Sequence, residues 1–283
     1  MSHSKDFQLG SGHPNRRVIS IHGAPRSGTT WLGSIFDSHS DVAYRFQPLF
    51  SYRFKDRIKS DSSADDIRTF LMELYAVNDD PFILHYGKGV EPELLSFRKQ
   101  NPPSILVFKE VRYHHLIEKF LDAVGELKVV GIVRNPCAVI NSWLQAPKEF
   151  KKEWQPLAEW RYAPSKNLGR IEEYNGFEKW KELTCAFLEL QQKYPDRFYL
   201  IQYERLVADP IGVIEDVFSF VGLKMEEQVM DFIKMSQSRH SDDAYALFKS
   251  PTVSKRWHSE LDPLIAEEII EGLKGTALER FLI

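Results

Sequence analysis

The residues best suited to chemistry lie in three short runs. The first is Gly23-Ala24-Pro25-Arg26-Ser27-Gly28-Thr29-Thr30-Trp31-Leu32. It places two glycines, one guanidinium and the hydroxyls of Ser27, Thr29 and Thr30 in a loop that leads into a helical pattern. Backbone N–H groups ahead of a helix, backed by the positive end of its dipole, form a cradle for an anion. The second is Lys109-Glu110, a cation and a carboxylate at the end of an apolar run. The third is Arg134 with Ser142 eight positions later. A guanidinium at a strand mouth and a hydroxyl two turns along the next helix can grip one phosphate from two sides. A nucleotide with two separate phosphate groups needs two such sites.

The first run is not a nucleoside-triphosphate loop. That pattern is Gly, four residues, then Gly-Lys-Ser/Thr. Gly23 and Gly28 keep the spacing, but Thr29 stands in the lysine position and Arg26 is the loop's cation. In phosphate-loop nucleotidases a neighbouring strand ends in an aspartate that helps to hold Mg²⁺. Here the run 129–133 ends in Arg134. Both departures point to a different anion, bound without metal.

Short apolar runs at 17–22, 42–46, 105–108, 129–133 and 198–202 read as buried strands. Helical spacing follows at 29–38, 115–124, 135–145, 177–194 and 210–221. Asn135-Pro136 supplies a cap and an N1 proline, and Gly222 a stop. Strands alternating with helices predict an α/β fold: a P-loop-type three-layer sandwich with a parallel sheet of about five strands and helices on both faces. Ligands in such folds bind at the carboxyl ends of the strands, where all three chemical runs lie. Residues 147–176 are irregular and rich in proline and lysine, and are expected to form a lid or substrate loop.

The chain has 283 residues, of which 43% are hydrophobic, enough for one large core. A net charge of −3 argues against a broad nucleic-acid surface. Nine histidines and two cysteines, Cys137 and Cys185, show no metal-ligand or disulfide spacing. Both cysteines are read as buried small residues. Residues 1–15 read as a disordered leader with no apolar signal segment, and no run reaches the length of a membrane span. A soluble, cytoplasmic protein is expected.

With these residues in place, the chain resembles the PAPS-dependent sulfotransferase superfamily (PAPS is 3′-phosphoadenosine 5′-phosphosulfate). Residues 25–32 match its 5′-phosphosulfate loop, and 129–142 resemble its 3′-phosphate element. Tyr203-Glu204-Arg205-Leu206-Val207-Ala208-Asp209-Pro210 is similar to the stretch after its last strand. Ser254-Lys255-Arg256-Trp257-His258-Ser259-Glu260-Leu261 is similar to its basic closing segment. Arg26 in the loop and Phe36-Asp37-Ser38-His39-Ser40-Asp41-Val42 look like the carbohydrate and tyrosyl-protein branches and their soluble bacterial relatives. The resemblance implies one domain over 16–283, PAPS as co-substrate, PAP (adenosine 3′,5′-bisphosphate) as product, and an acceptor hydroxyl on a carbohydrate or small metabolite. By position it assigns Arg26, Ser27, Gly28, Thr29 and Thr30 to the 5′-phosphosulfate, and Arg134 and Ser142 to the 3′-phosphate. Trp31 and Tyr203 fall to the adenine, and Lys255 and Arg256 to closure over the 3′-phosphate.

In-line transfer places negative charge on the leaving phosphate oxygen. Arg26, the loop amides and Lys109 are the groups expected to bear it. The acceptor's base stays open. In the branches resembled, a glutamate follows the Asp-Val signature, but Gln47 occupies that position and cannot take a proton. Glu110 is one alternative, and either His114 or His115 is another. Neighbours on a helix point about 100° apart, so only one of the two can face the site. A loose transition state that needs little base is the third. Arg112 either binds the acceptor or forms a structural ion pair. Tyr52, Phe54, Trp154, Trp160 and Tyr162 would suit a sugar face or ordinary packing. Two rival readings remain: a non-catalytic nucleotide-binding relative, which Gln47 allows, and a P-loop kinase, which Thr29 and Arg134 disfavour. The oligomeric state is not encoded in any motif.

Overall fold

Five runs of β-branched and aromatic residues form one parallel sheet: β1 (Arg17–His22), β2 (Val42–Phe46), β3 (Ile105–Glu110), β4 (Lys128–Val133) and β5 (Phe198–Gln202). The structure is a computed structural model that describes residues 17–86, 96–238 and 255–282. The leader expected at 1–15 lies outside these residues. Strand order is β2-β3-β1-β4-β5, with every neighbour parallel. Parallel neighbours need crossovers, and helices supply them. These are α1 (Thr29–Asp37), α2 (Ala64–Tyr75), α3 (Ile117–Ala123) and α4 (Pro136–Leu144), then two short turns of helix, α5 (Pro156–Glu159) and α6 (Pro164–Asn167), and α7 (Phe177–Lys193). After β5 come α8 (Tyr203–Ala208), α9 (Pro210–Val221), α10 (Glu227–Ser238), α11 (Trp257–Glu260) and α12 (Pro263–Leu273).

Strand alternation divides the core into two faces. Ile19, Ile21, Val107, Val130 and Ile132 pack with Leu32 and Phe36 of α1, Phe218 of α9 and Phe232 of α10. Val18, Leu106, Phe108, Val129 and Val133 pack with Phe70 of α2, Phe120 of α3, Ile140 of α4 and Phe187 of α7. Helices therefore cover both sides of the sheet, as expected. Each fully buried large apolar side chain contributes about 1.5–3 kcal/mol. Among the described residues no helix is long and apolar enough to cross a membrane.

The order β2-β3-β1-β4-β5 reverses direction at β1, so the carboxyl ends of β1, β3 and β4 share one crevice. β3 runs two residues past the expected end. Lys109 pairs with Ile21 and Glu110 with His22. Alternation then sends Lys109 to the α1 face and Glu110 to the opposite face. After β3 a single tight turn at His114–Leu116 precedes α3, so the α-helix itself begins at Ile117, two residues later than the expected 115. Asn135 caps α4 through bonds from the amides of Cys137 and Ala138, with Pro136 at N1. Gly222 closes α9 in the left-handed conformation at φ 73°. Cys137 is buried, which pushes its thiol up to about 12. Cys185 corrects the expectation of a buried residue: it is exposed on α7.

Candidate active site

The loop between β1 and α1 is tight. The Ser27 amide donates to the Ala24 carbonyl over 3.1 Å. Arg26 and Gly28 both take the left-handed region, at φ 73° and 89°. A Cβ on Gly28 would lie 2.5 Å from the Tyr203 ring, so glycine is required both by backbone and by space. No side chain caps α1 and no acidic residue occupies its first turn. The helix's positive end therefore faces the loop without a carboxylate to offset it.

Two arginines and Ser142 meet over this loop. Arg26 Nε donates to Ser142 Oγ at 3.1 Å, and its Nη1 pairs with Glu149 Oε1 at 3.4 Å. Arg134 Nη1 donates to the Arg26 carbonyl at 2.9 Å, pinning the residue with the left-handed backbone. The Arg134 guanidinium lies 4.7 Å from the Tyr203 ring centre. Around it, Trp180 Nε1 donates to the Arg134 carbonyl at 3.0 Å, and the Asn135 amide donates to Glu204 Oε1 at 3.0 Å. Three buried polar atoms here, Ser27 Oγ, Arg134 Nε and Glu204 Oε2, have no hydrogen-bond partner, and the first two are donors. A buried donor without an acceptor costs about 1–3 kcal/mol. Two separate phosphate groups would give an acceptor to each donor, so these residues fit a nucleotide with phosphates at two positions. Replacing Arg134 with alanine is expected to weaken PAP binding by about 1.5–3 kcal/mol in calorimetry, the range for hydrogen bonds to charged groups. Unchanged affinity would remove Arg134 from the site.

Lys109 reaches the same loop from β3. Its Nζ lies 3.3 Å from both Thr29 Oγ1 and Thr30 Oγ1, and 4.3 Å from the Phe46 ring centre. Burial pushes its pKa down to about 7, against the opposing charges of Glu110 and Glu149. Glu110 faces the other way and is closed in. Its Oε1 accepts from the Leu49 amide at 2.8 Å, Oε2 has no partner, and none of the residue is exposed. Burial pushes its pKa up to about 8.

The two histidines part, as the helical geometry requires. His114 turns inward, its Nδ1 3.1 Å from His22 Nδ1. Burial drives His22 down to about 3 and His114 well below its ordinary range. His115 is half-buried beside the Tyr113 ring, with its pKa lowered by burial. Arg112 forms the ion pair: its Nε is 3.0 Å from both carboxylate oxygens of Glu173, and its guanidinium lies 4.0 Å from the Phe50 ring centre. Gln47, at φ 42°, donates its amide to the Lys109 carbonyl at 2.9 Å.

Tyr203 opens α8 directly after β5, against Gly28 and Arg134, while Trp31 Nε1 donates to Ser236 of α10 at 3.0 Å. Both rings pack on the same core face. Lys255 is exposed and Arg256 half-buried ahead of α11. That helix is tied to α4 by Asn141 donating to Glu260 at 2.8 Å, one residue from Ser142. The segment before Lys255, residues 239–254, lies outside the described residues. Of the aromatics proposed for a sugar face, Phe54 and Trp160 are core residues, whereas Tyr52 and Tyr162 are exposed. Glu149 and Trp180 had no sequence signal, since their partners lie far away in the chain. Glu204 was inside a recognised stretch but without a role.

The sulfotransferase domain family matches this chain over residues 16–277. The chain belongs to that family, and its class of activity is sulfuryl transfer. Carbohydrate sulfotransferase 1 of Danio rerio is 22% identical over 293 aligned residues, spanning 83% of this chain and 69% of that protein. Carbohydrate sulfotransferase 5 of Mus musculus is 24% identical over 307 residues, spanning 90% and 77%. Among solved structures, mouse sulfotransferase SULT7A1 complexed with PAP superimposes with a TM-score of 0.55 at 14% identity, covering 95% of this chain and 88% of that one. Retinol dehydratase in complex with androsterone and inactive cofactor PAP gives 0.55 at 14% identity, covering 92% and 82%. At such identities the structural likeness establishes the shared fold.

Proposed function

We propose that this protein transfers the sulfuryl group of PAPS to a hydroxyl of a carbohydrate or small metabolite, releasing PAP. The observation that carries this reading is the meeting of Arg26, Lys109, Arg134 and Ser142 around one loop, with two buried donors there still lacking partners. The loop amides, Arg26 and Lys109 take the 5′-phosphosulfate. Arg134 and Ser142 take the 3′-phosphate, with Ser142 exchanging its bond from Arg26 for the nucleotide. Tyr203 and Trp31 border the adenine, and Lys255 and Arg256 add charge at the 3′ side. The names of the carbohydrate sulfotransferases that this chain resembles support a sugar hydroxyl as acceptor.

The donor supplies an activated S–O bond. Attack by the acceptor oxygen forms a new S–O bond as the bond to the 5′-phosphate breaks, and the electron pair stays on the phosphate oxygen. Arg26, Lys109 and the first amides of α1 gather at the loop where that charge grows, the kind of arrangement that lowers such barriers most. Incubation with sulfur-labelled PAPS and a panel of neutral mono- and disaccharides tests the reading. Label is expected on a sugar. Gln47, which replaces a glutamate of the resembled branches, favours a second reading of nucleotide binding without transfer. PAP binding with no label moved to any acceptor would select it.

A further inference from the structure

We propose that Glu149 is the acceptor's general base, a role that rests on the sulfuryl-transfer reading above. Geometry separates Glu149 from Gln47, Glu110, Glu173 and His114. Gln47 has no basic atom to offer. Glu110 is wholly enclosed, faces away from Lys109, and has one oxygen committed to the Leu49 amide. Glu173 is committed to Arg112 through both oxygens and is itself 7% exposed at the side chain. His114 is locked against His22 beneath the sheet end. Glu149 instead lies 3.4 Å from the Arg26 guanidinium, and its side chain is 26% exposed. It is held within range of the loop yet open to an incoming molecule.

Its position follows from how the chain leaves α4. The amides of Glu149 and Phe150 both bond back to the Ala146 carbonyl, at 2.9 and 2.8 Å. Phe150 then seats edge-on against Trp143 of α4, ring centres 5.2 Å apart. This turn anchors residue 149 to the helix that carries Ser142. Charge from Glu149 acts on both Lys109 and Lys166. The carboxylate therefore lies beside Arg26 and within the field of Lys109, the two cations expected to hold the sulfuryl group.

In the reaction, Arg26 turns to the phosphosulfate and leaves the Glu149 carboxylate free beside it. The acceptor O–H proton passes to a Glu149 oxygen while the acceptor oxygen bonds to sulfur and the S–O bond to phosphate breaks. The proton is then lost to water, so the sum is PAPS plus alcohol giving PAP, sulfate ester and one proton.

The test compares wild type, Glu149→Gln and Glu149→Asp, with labelled PAPS and the saccharide panel for turnover and PAP calorimetry for binding. Glu149→Gln should lower kcat about 10²–10⁴-fold, the range for a general base. Its PAP affinity should stay equal or become tighter, because Arg26 loses a competing partner. Glu149→Asp should recover part of the rate. A residue that merely tethers Arg26 would also lower kcat, but it would leave the acidic limb of the kcat–pH profile in place, whereas Glu149→Gln should abolish that limb. Accordingly, a Glu149→Gln kcat within about threefold of wild type, or an acidic limb that persists in that variant, overturns the proposal. Wild type that binds PAP but moves no label overturns the transfer reading, and this proposal with it.

Discussion

Replacing Arg26 with alanine is expected to lower kcat for sulfuryl transfer by about 10²–10³-fold, the cost of removing one preorganised donor from a developing oxyanion. The fold should survive the change. Arg26 already occupies the left-handed region at φ 73°, and alanine meets a similar backbone penalty there. The carbonyl that Arg134 holds belongs to the backbone and remains. Side-chain bonds to Ser142 and Glu149 are lost. Arg26→Lys should recover only part of the rate, since an ammonium cannot reproduce two fixed guanidinium bonds. Steady-state kinetics with a circular-dichroism melt separates the chemical effect from a folding one. A near-normal kcat in Arg26→Ala would leave the loop with no role for its cation.

Lys109→Met should divide stability from activity. The methionine keeps the apolar stem in contact with Phe46 and removes an ammonium that burial disfavours. We expect an equal or higher Tm together with a kcat lowered by about 10²-fold. The sign of the pH dependence follows from the same burial. Lys109 has its folded pKa lowered to about 7 from 10.5. Between those values the unfolded chain holds a proton that the fold has lost, so this residue makes stability rise with pH there. Glu110 has its folded pKa raised to about 8 from 4.5, so the fold holds the extra proton and its contribution falls as pH rises through that window. For binding, an anionic donor beside Lys109 favours the charged ammonium. Above pH ~7, PAP binding should therefore take up a proton and weaken as pH rises. Calorimetry in buffers of different ionisation enthalpy measures that proton. Lys109→Met should lose it, and an unchanged proton uptake in the variant would assign it to another group.

What the sequence disclosed was local. The glycine and hydroxyl loop, the Arg134 strand end and the Asn135-Pro136 cap are each set by neighbours within one or two turns, so their residue types and spacing carry the geometry. Contacts between distant segments were not visible. Arg26 and Glu149 are 123 positions apart, and Arg112 and Glu173 are 61 apart. No periodicity joins such pairs. Ser142 was expected beside Arg134, yet its bond comes from Arg26, because Arg134 is turned onto the Arg26 carbonyl and the Tyr203 ring. β3 extends beyond the apolar run 105–108 because Lys109 and Glu110, residue types usual at the surface, continue the strand. In the fold both are buried, and strand alternation alone decides that one meets the loop and the other does not.

One loop and one arginine are expected to recognise the two ends of a bisphosphorylated adenosine. Titrating the protein with PAP in the presence of EDTA, alongside ATP with Mg²⁺, tests that most directly. Tight binding of PAP without metal is expected, with weak or no binding of ATP–Mg²⁺. Binding of ATP only with Mg²⁺, and none of PAP, would contradict it.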